Sequence, residues 1–331
     1  MTFVHRFALA LLAAVHHAPQ NTQDIASSAV SFRNGAITLS GTLYQPAGPG
    51  PHPAVVVIHS ADGPTRDFHA YAHLTTILPR AGFAVLLFDR RGSGGSTGRF
   101  ESASFADLAG DALAGIQYLR VRPDIDPRRV GVWGISQGGW LAPLAAATSV
   151  SVAFVVAVSA SGVSPARQMD YSAVHALHEA GQSDSVVELA LRARSALNAY
   201  YHGLRTRAQV QPVIDSVLGQ PWVASVFLPN SGRLPEHPEG SKWALTMDYD
   251  PLPVLARVRV PMAFFFAEND SWVPVEPSIR NITGATAANH RVAIRVIHGA
   301  DHYMETGSPS SGGQTSSAYE ESLIQWLGAL R

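Results

Sequence analysis

The chain of 331 residues contains no cysteine. Disulfides, thiolate metal sites, a cysteine nucleophile and a lipid-modified N-terminal cysteine are thereby excluded. Lysine is almost as scarce, with Lys242 the only one, and arginine supplies nearly all the positive charge. Net charge is −1, so no electrostatic case arises for nucleic acid or an anionic membrane. No apolar run is long enough to cross a bilayer. What remains, at 46% hydrophobic and 15% charged residues, suits a globular chain with one large core or one core plus an appended lobe.

The first residues have the pattern of an export signal. Positive charge over Met1 to Arg6 precedes a short apolar run, Phe7 to Val15, and a polar stretch follows from Pro19 to Asp24. A leader over residues 1–23 and a periplasmic or secreted, non-lipidated mature protein are expected.

Asn34-Gly35, between "AVSFR" and "AITLSGTLY", predicts a hairpin with a type I′ turn. Short, solidly apolar runs then recur at Ala54–Ile58, Phe83–Phe88, Val130–Trp133, Val152–Val158, Met262–Phe266 and Val292–Ile297. Such runs suit strands buried on both faces of a parallel sheet. Helical patterns such as "FHAYAHLTTILPRAG" and "FADLAGDALAGIQYLR" alternate with them. The fold class expected is α/β, a mostly parallel, doubly wound sheet. Alternation breaks between about Gly162 and Asp250, a span too long for a simple strand connection. The expected division is a core over 24–161 and 251–331 with a helical cap insert at 162–250. "SPSSGGQTSS" predicts a flexible loop, and a last helix is expected from about Tyr319 to Leu330.

The chemistry concentrates in "VGVWGISQGGW". Gly134-Ile135-Ser136-Gln137-Gly138 is a G-x-S-x-G pattern between an apolar strand and a helix. At such an elbow the serine takes a strained backbone conformation and neighbouring turns pass too close for side chains, hence the flanking glycines. The helix N-terminus behind Ser136 directs the Gln137 N–H at any oxyanion that forms. A serine hydroxyl needs a base, and in this arrangement the order along the chain is serine, acid, histidine. His302, in the loop after the last apolar run, is the candidate base, preferred to His298 at the strand end. Asp270, after the preceding run, is the candidate acid, preferred to Glu268; Asp301 suits loop hydrogen bonding. The second oxyanion donor is expected from the loop His59-Ser60-Ala61-Asp62-Gly63, through the N–H of Ser60 or Ala61.

Five ordered motifs carry a family resemblance: "VVVIHSADG", Asp89 to Ser96 (a D-x-R-G-x-G-x-S pattern), "GISQGGWLAP", "AENDSWVP" and "HGADH". With these the chain resembles the α/β-hydrolase superfamily over nearly its whole mature length, and within it the serine aminopeptidase-like branch of bacterial esterases. One departure is His59-Ser60, where His-Gly is usual. The resemblance implies a carboxylesterase for short or medium acyl chains. Acyl transfer to water by Ser136, His302 and Asp270 needs no cofactor, and the partner expected is a small-molecule ester.

Rival readings share much of this sequence. An aminopeptidase or amidase would need an acidic pocket, for which Glu179, Asp184 and Glu188 are available. An acyl-CoA thioesterase would need cations, for which Arg192, Arg194, Arg205 and Arg207 are available. A non-catalytic binding protein on the same fold would be expected to have lost a triad member, and none is missing. The glycines after Asp89 fail the dinucleotide pattern, since Thr97 stands at the third glycine position. The pairs His69/His73 and His175/His178 lack an H-E-x-x-H glutamate, so no metal is expected. The leader makes its own prediction: expressed in a bacterium with its export machinery, the mature chain begins near residue 18 to 25. N-terminal sequencing checks it, and a full-length cytoplasmic chain with Met1 or Thr2 intact would contradict it.

Overall fold

A computed structural model describes residues 25–229, 232–307 and 313–330. The expected leader, residues 1–23, lies outside them.

The chain opens with a hairpin, β1 (Ala26–Asn34) and β2 (Ile37–Gln45), paired from Ala26↔Gln45 to Asn34↔Ile37. Its turn differs from the type I′ expected. Gly35 and Ala36 form it, and of the two only Gly35 has positive φ, at 57°. Gly35 thus takes the first central position, where a type II′ turn needs glycine. The apolar runs are strands: β3 (His52–Ile58), β4 (Ala84–Phe88), β5 (Ile125–Ile135), β6 (Val155–Val158), β7 (Met262–Ala267) and β8 (Val292–Ile297). Sheet order is β1-β2-β4-β3-β5-β6-β7-β8. β2 runs antiparallel to β4, and all pairs from β4 to β8 are parallel. Strands β4, β6 and β7 are buried at every residue, as continuous apolar runs require. β8 departs from that expectation. It is the sheet edge, and Arg295 and Val296 are exposed.

Helices cover both faces. On one face lie α2 (Phe105–Arg120) and α3 (Gln137–Thr148), and on the other α1 (Leu74–Arg80) and the C-terminal α10 (Ser317–Gly328). Ser104 starts α2 with a reciprocal cap: its hydroxyl accepts the Asp107 N–H while the Asp107 carboxylate accepts the Ser104 N–H. Trp133 and Tyr319 are almost fully buried, and the indole Nε1–H donates to Tyr319 Oη at 2.8 Å, joining β5 to α10.

Between β6 and β7 the chain forms α4 (Pro165–Glu179), α5 (Asp184–Tyr201), α6 (Arg207–Asp215) and the short α7 (Lys242–Thr246) and α8 (Leu252–Leu255). Leu177, Ala190, Leu197, Val210, Ile214, Trp222 and Val226 make a separate apolar cluster there. Lys242 is not a surface amine. Its Nζ lies 4.8 Å from the Phe100 ring centre and 5.4 Å from that of Phe105. Burial lowers its pKa to about 8. After β7 come α9 (Val275–Ala285), β8 and a two-residue ladder, β9 (Glu305–Thr306) with β10 (Gln314–Thr315). Of the loop expected at Ser308–Ser317, residues 308–312 lie outside the described residues; in the remainder β10 forms and Ser317 opens α10.

The Trp133–Tyr319 bond makes a stability prediction. Tyr319→Phe keeps the ring and strands a buried indole N–H, which costs about 1–3 kcal/mol. Urea unfolding measures it, and an unchanged midpoint would show that this bond contributes nothing.

Candidate active site

Ser136 stands between β5 and α3 with φ 55° and ψ −114°, a strained conformation for a non-glycine residue. The glycines around it are required sterically. A Cβ on Gly134 would lie 2.2 Å from Gly138 O, and one on Gly138 would lie 2.4 Å from Ile58 O. Gln137 opens the first turn of α3, where backbone N–H groups have no partner within the helix.

His302 and Asp270 come together as the spacing suggested. His302 Nδ1 lies 2.9 Å from each Asp270 carboxylate oxygen, and both side chains are buried. With Nδ1–H facing a carboxylate, Nε2 is left as the acceptor. Asp270 Oδ1 also accepts the N–H groups of Trp272 at 2.8 Å and Val273 at 2.9 Å, which fixes the carboxylate in its turn. The main chains of Ser136 and His302 are both anchored at the C-terminal end of β6. The Ser136 N–H donates to Val158 O at 2.9 Å, and the hydroxyl of the next residue, Ser159, donates to His302 O at 2.7 Å.

The rejected pair has a different setting. His298 Nδ1 faces Glu268 Oε1 at 3.2 Å, but His298 is 86% exposed. Glu268 accepts the Gly299 N–H at 2.8 Å, the main cause of its lowered pKa. Asp301 Oδ1 accepts the N–H groups of Tyr303 and Glu305, as loop hydrogen bonding requires.

The geometry of the loop His59 to Gly63 bears on one open alternative. The Ser60 N–H donates to Tyr71 Oη at 2.9 Å, deep in the core. It is engaged there, which leaves Ala61 as the candidate donor. The Tyr71 hydroxyl in turn donates a hydrogen bond to Gly63 O at 2.8 Å. Arg90 Nη1 donates to Ser60 O at 3.1 Å and Ala61 O at 2.7 Å. His59, buried against Phe88 O, has its pKa lowered to about 4 by desolvation. The glycine-rich turn after Asp89 is structural: Asp89 Oδ2 accepts the Gly95 N–H at 2.9 Å and pairs with Arg66. Among the described residues no cluster of His, Asp and Glu has the arrangement of a metal site.

Ser159, Arg90 and Tyr71 escaped the reading of the sequence. Ser159 carried one local signal, a serine directly after a buried apolar run, but nothing local pairs it with a residue 143 positions on.

A family model described as X-Pro dipeptidyl-peptidase (S15 family) matches residues 34–303. The chain belongs to this family, within the α/β-hydrolase superfamily. The S15-family chain is 24% identical over 292 residues to the quorum-quenching protein AidA of Acinetobacter baumannii, covering 83% of this chain and 87% of that one. It is 38% identical over 104 residues to an uncharacterised Mycobacterium tuberculosis protein, covering 31% of this chain and about a third (35%) of that relative's length. The fold is similar to that of the Pyrococcus furiosus esterase Pf2001, with TM-score 0.58, 17% identity, and 92% and 93% of the two chains covered. The superfamily expected from the motifs is therefore shown, and this S15-family member is a hydrolase of the α/β fold. The matching model carries a peptidase's name, not an esterase's.

The elbow makes a prediction about the S15-family site. Gly138→Ala drives a methyl into Ile58 O and disturbs Ser136 and the oxyanion loop together. It is expected to lower kcat at least a hundredfold and the melting temperature by several degrees, checked by kinetics and thermal denaturation. Wild-type kcat would show that the contact relaxes freely.

Proposed function

We propose that this hydrolase cleaves small carboxylic esters through an acyl-enzyme on Ser136. The observation that carries the proposal is His302 Nδ1 placed against both oxygens of Asp270, with the main chains of His302 and of the strained Ser136 both anchored at the end of β6. In this reading His302 Nε2 takes the Ser136 Oγ proton as Oγ attacks the ester carbonyl. The Gln137 and Ala61 N–H groups hold the oxyanion. The C–O bond to the alcohol breaks, and His302 returns the proton to the leaving oxygen. Water then attacks the acyl-enzyme by the same route, releasing the acid and restoring Ser136.

The surroundings favour an ester over the rivals. Trp272 lies over His302 with ring centres 6.1 Å apart, and Phe227 lies 5.6 Å from Trp272, so the walls beside the base are aromatic. The acids available for a peptide amine, Glu179, Asp184 and Glu188, are 73%, 99% and 72% exposed on outer helix faces. Of the cations available for CoA phosphates, Arg194 is buried and committed, its Nε to Asp170 Oδ1 at 2.6 Å and its Nη1 to Val226 O at 2.9 Å. The family name keeps aminoacyl amides among the substrates to be tested. Export, as the leader pattern implies, belongs to the same proposal.

Substrate choice is assigned to the segment between β6 and β7. A cavity of about 570 Å3 there is lined by Met169, Leu197, Phe227 and Trp243 among others. Phe227 both lines this cavity and packs on Trp272, so one ring separates the cavity from the neighbour of the base. Trp222, by contrast, sits in the local apolar cluster, and Tyr249 packs on Phe105 of the main core. A larger cavity, about 770 Å3, lies at the opposite edge of the sheet beside Phe83, Phe154 and Val292 and takes no part in this chemistry.

Two experiments test the reading. Purified protein is assayed on nitrophenyl esters of graded length, acyl-CoA and aminoacyl amides, and labelled with a fluorophosphonate. Ester turnover is expected, with label on Ser136 that Ser136→Ala abolishes, and Asp270→Asn is expected to lower kcat by several orders of magnitude. Preferred turnover of amides would overturn the ester assignment, and label surviving in Ser136→Ala would overturn the nucleophile. Phe227→Ala is expected to reorder ester chain-length preference, while Trp222→Ala lowers the melting temperature and leaves the order alone.

A further inference from the structure

Arg90 is buried, yet the chemistry described above does not use it. One of its nitrogens, Nη1, holds two consecutive carbonyls of the oxyanion loop, Ser60 O and Ala61 O. In a planar trans peptide the C=O and N–H point in opposite directions. Fixing Ser60 O toward the buried guanidinium therefore turns the Ala61 N–H the other way, to the open side of the loop, where Ala61 is exposed. The preceding peptide is fixed independently, since its N–H, that of Ser60, goes to Tyr71 Oη.

The guanidinium is itself held. Its carbon lies 3.4 Å from the Phe100 ring centre. Its Nε is buried without a protein partner and lines a small cavity together with Gln137, whose Oε1 is likewise buried and unpartnered. Arg90 thus holds the loop that offers one oxyanion donor and lines the same small cavity as the residue that offers the other.

We propose that Arg90 is a positioning residue that sets the Ala61 peptide in the orientation an oxyanion hole needs, so that the hole exists before substrate arrives. The proposal rests on the ester-hydrolase reading of Ser136. It explains how His59-Ser60 works where His-Gly is usual. A glycine would leave this peptide free to rotate, whereas here a cation fixes both carbonyls and a phenol takes the spare N–H. A donor prepared in advance stabilises charge only as it develops, so its loss acts on kcat and leaves substrate binding nearly unchanged.

The test compares Arg90→Met, which keeps the stem and loses the donors, with Arg90→Lys, which keeps a cationic donor. Three quantities are read: kcat and KM on the best ester, normalised to fluorophosphonate-titrated sites; affinity for a trifluoromethyl ketone that forms an oxyanion on Ser136; and hydrogen exchange of the segment 59–64. For Arg90→Met, kcat is expected to fall about a hundredfold with KM within threefold. Ketone affinity should fall in step and exchange in the loop should rise. Arg90→Lys should recover about tenfold in kcat. If the Met variant does not fold, Arg90→Gln makes the same comparison. Normalised kcat within threefold of the wild type, or a loss that Lys does not relieve, overturns the clamp. A wild type that neither hydrolyses esters nor takes the probe overturns the ester-hydrolase reading instead. Loop exchange then still judges the clamp, and unchanged exchange in Arg90→Met overturns it.

Discussion

The contact on which the rest of this structure depends is backbone against backbone. The first turn of α3 lies so close to the end of β3 that a single methyl on Gly138 would stand 2.4 Å from Ile58 O. That approach brings two chain segments almost 80 residues apart to one place. One carries Ser136 and the Gln137 N–H; the other runs straight into His59, Ser60 and Ala61. Parallel pairing of β3 with β5, ending at Ile58↔Gly134, sets the register that makes the approach possible. The strain at Ser136, of order 1–3 kcal/mol, is sustained by these surroundings.

Much of this was legible in the sequence because the relevant physics is local. A buried parallel strand must be apolar at nearly every position, and runs such as "VVAV" and "MAFFFA" have no other economical use. The elbow was legible because glycine on both sides of a serine, between strand and helix, answers a steric need. The burial of Asp270 with His302, against the exposed Glu268 with His298, was legible because residues past a strand end can turn over the edge of a sheet, while residues at the end remain beside it. The exposure of the His298–Glu268 pair reflects that difference.

What escaped depends on contacts distant in sequence. Nothing near Arg90 announces that its side chain reaches Ser60 and Ala61, and nothing near Tyr71 announces that its hydroxyl takes the Ser60 N–H. That the Ser60 N–H is taken up by Tyr71 could not be read from spacing either, since the partner lies on another element. The hairpin turn slid by one residue because a type II′ turn uses a single glycine where a type I′ turn asks positive φ of two residues. In the segment between β6 and β7, composition supplied the aromatics without their partners. Trp222 serves a local core, Tyr249 the main core, and Phe227 faces Trp272.

The bond from Ser159 to His302 has a consequence for how such chains diverge. It grips the main-chain carbonyl of His302, not the imidazole. That bond is indifferent to which side chain occupies the position. Chemistry and contour are partly separable here: a descendant lacking the imidazole would keep this anchor of the loop while losing the proposed base. In such a lineage the course of the main chain could persist through the change of a single codon.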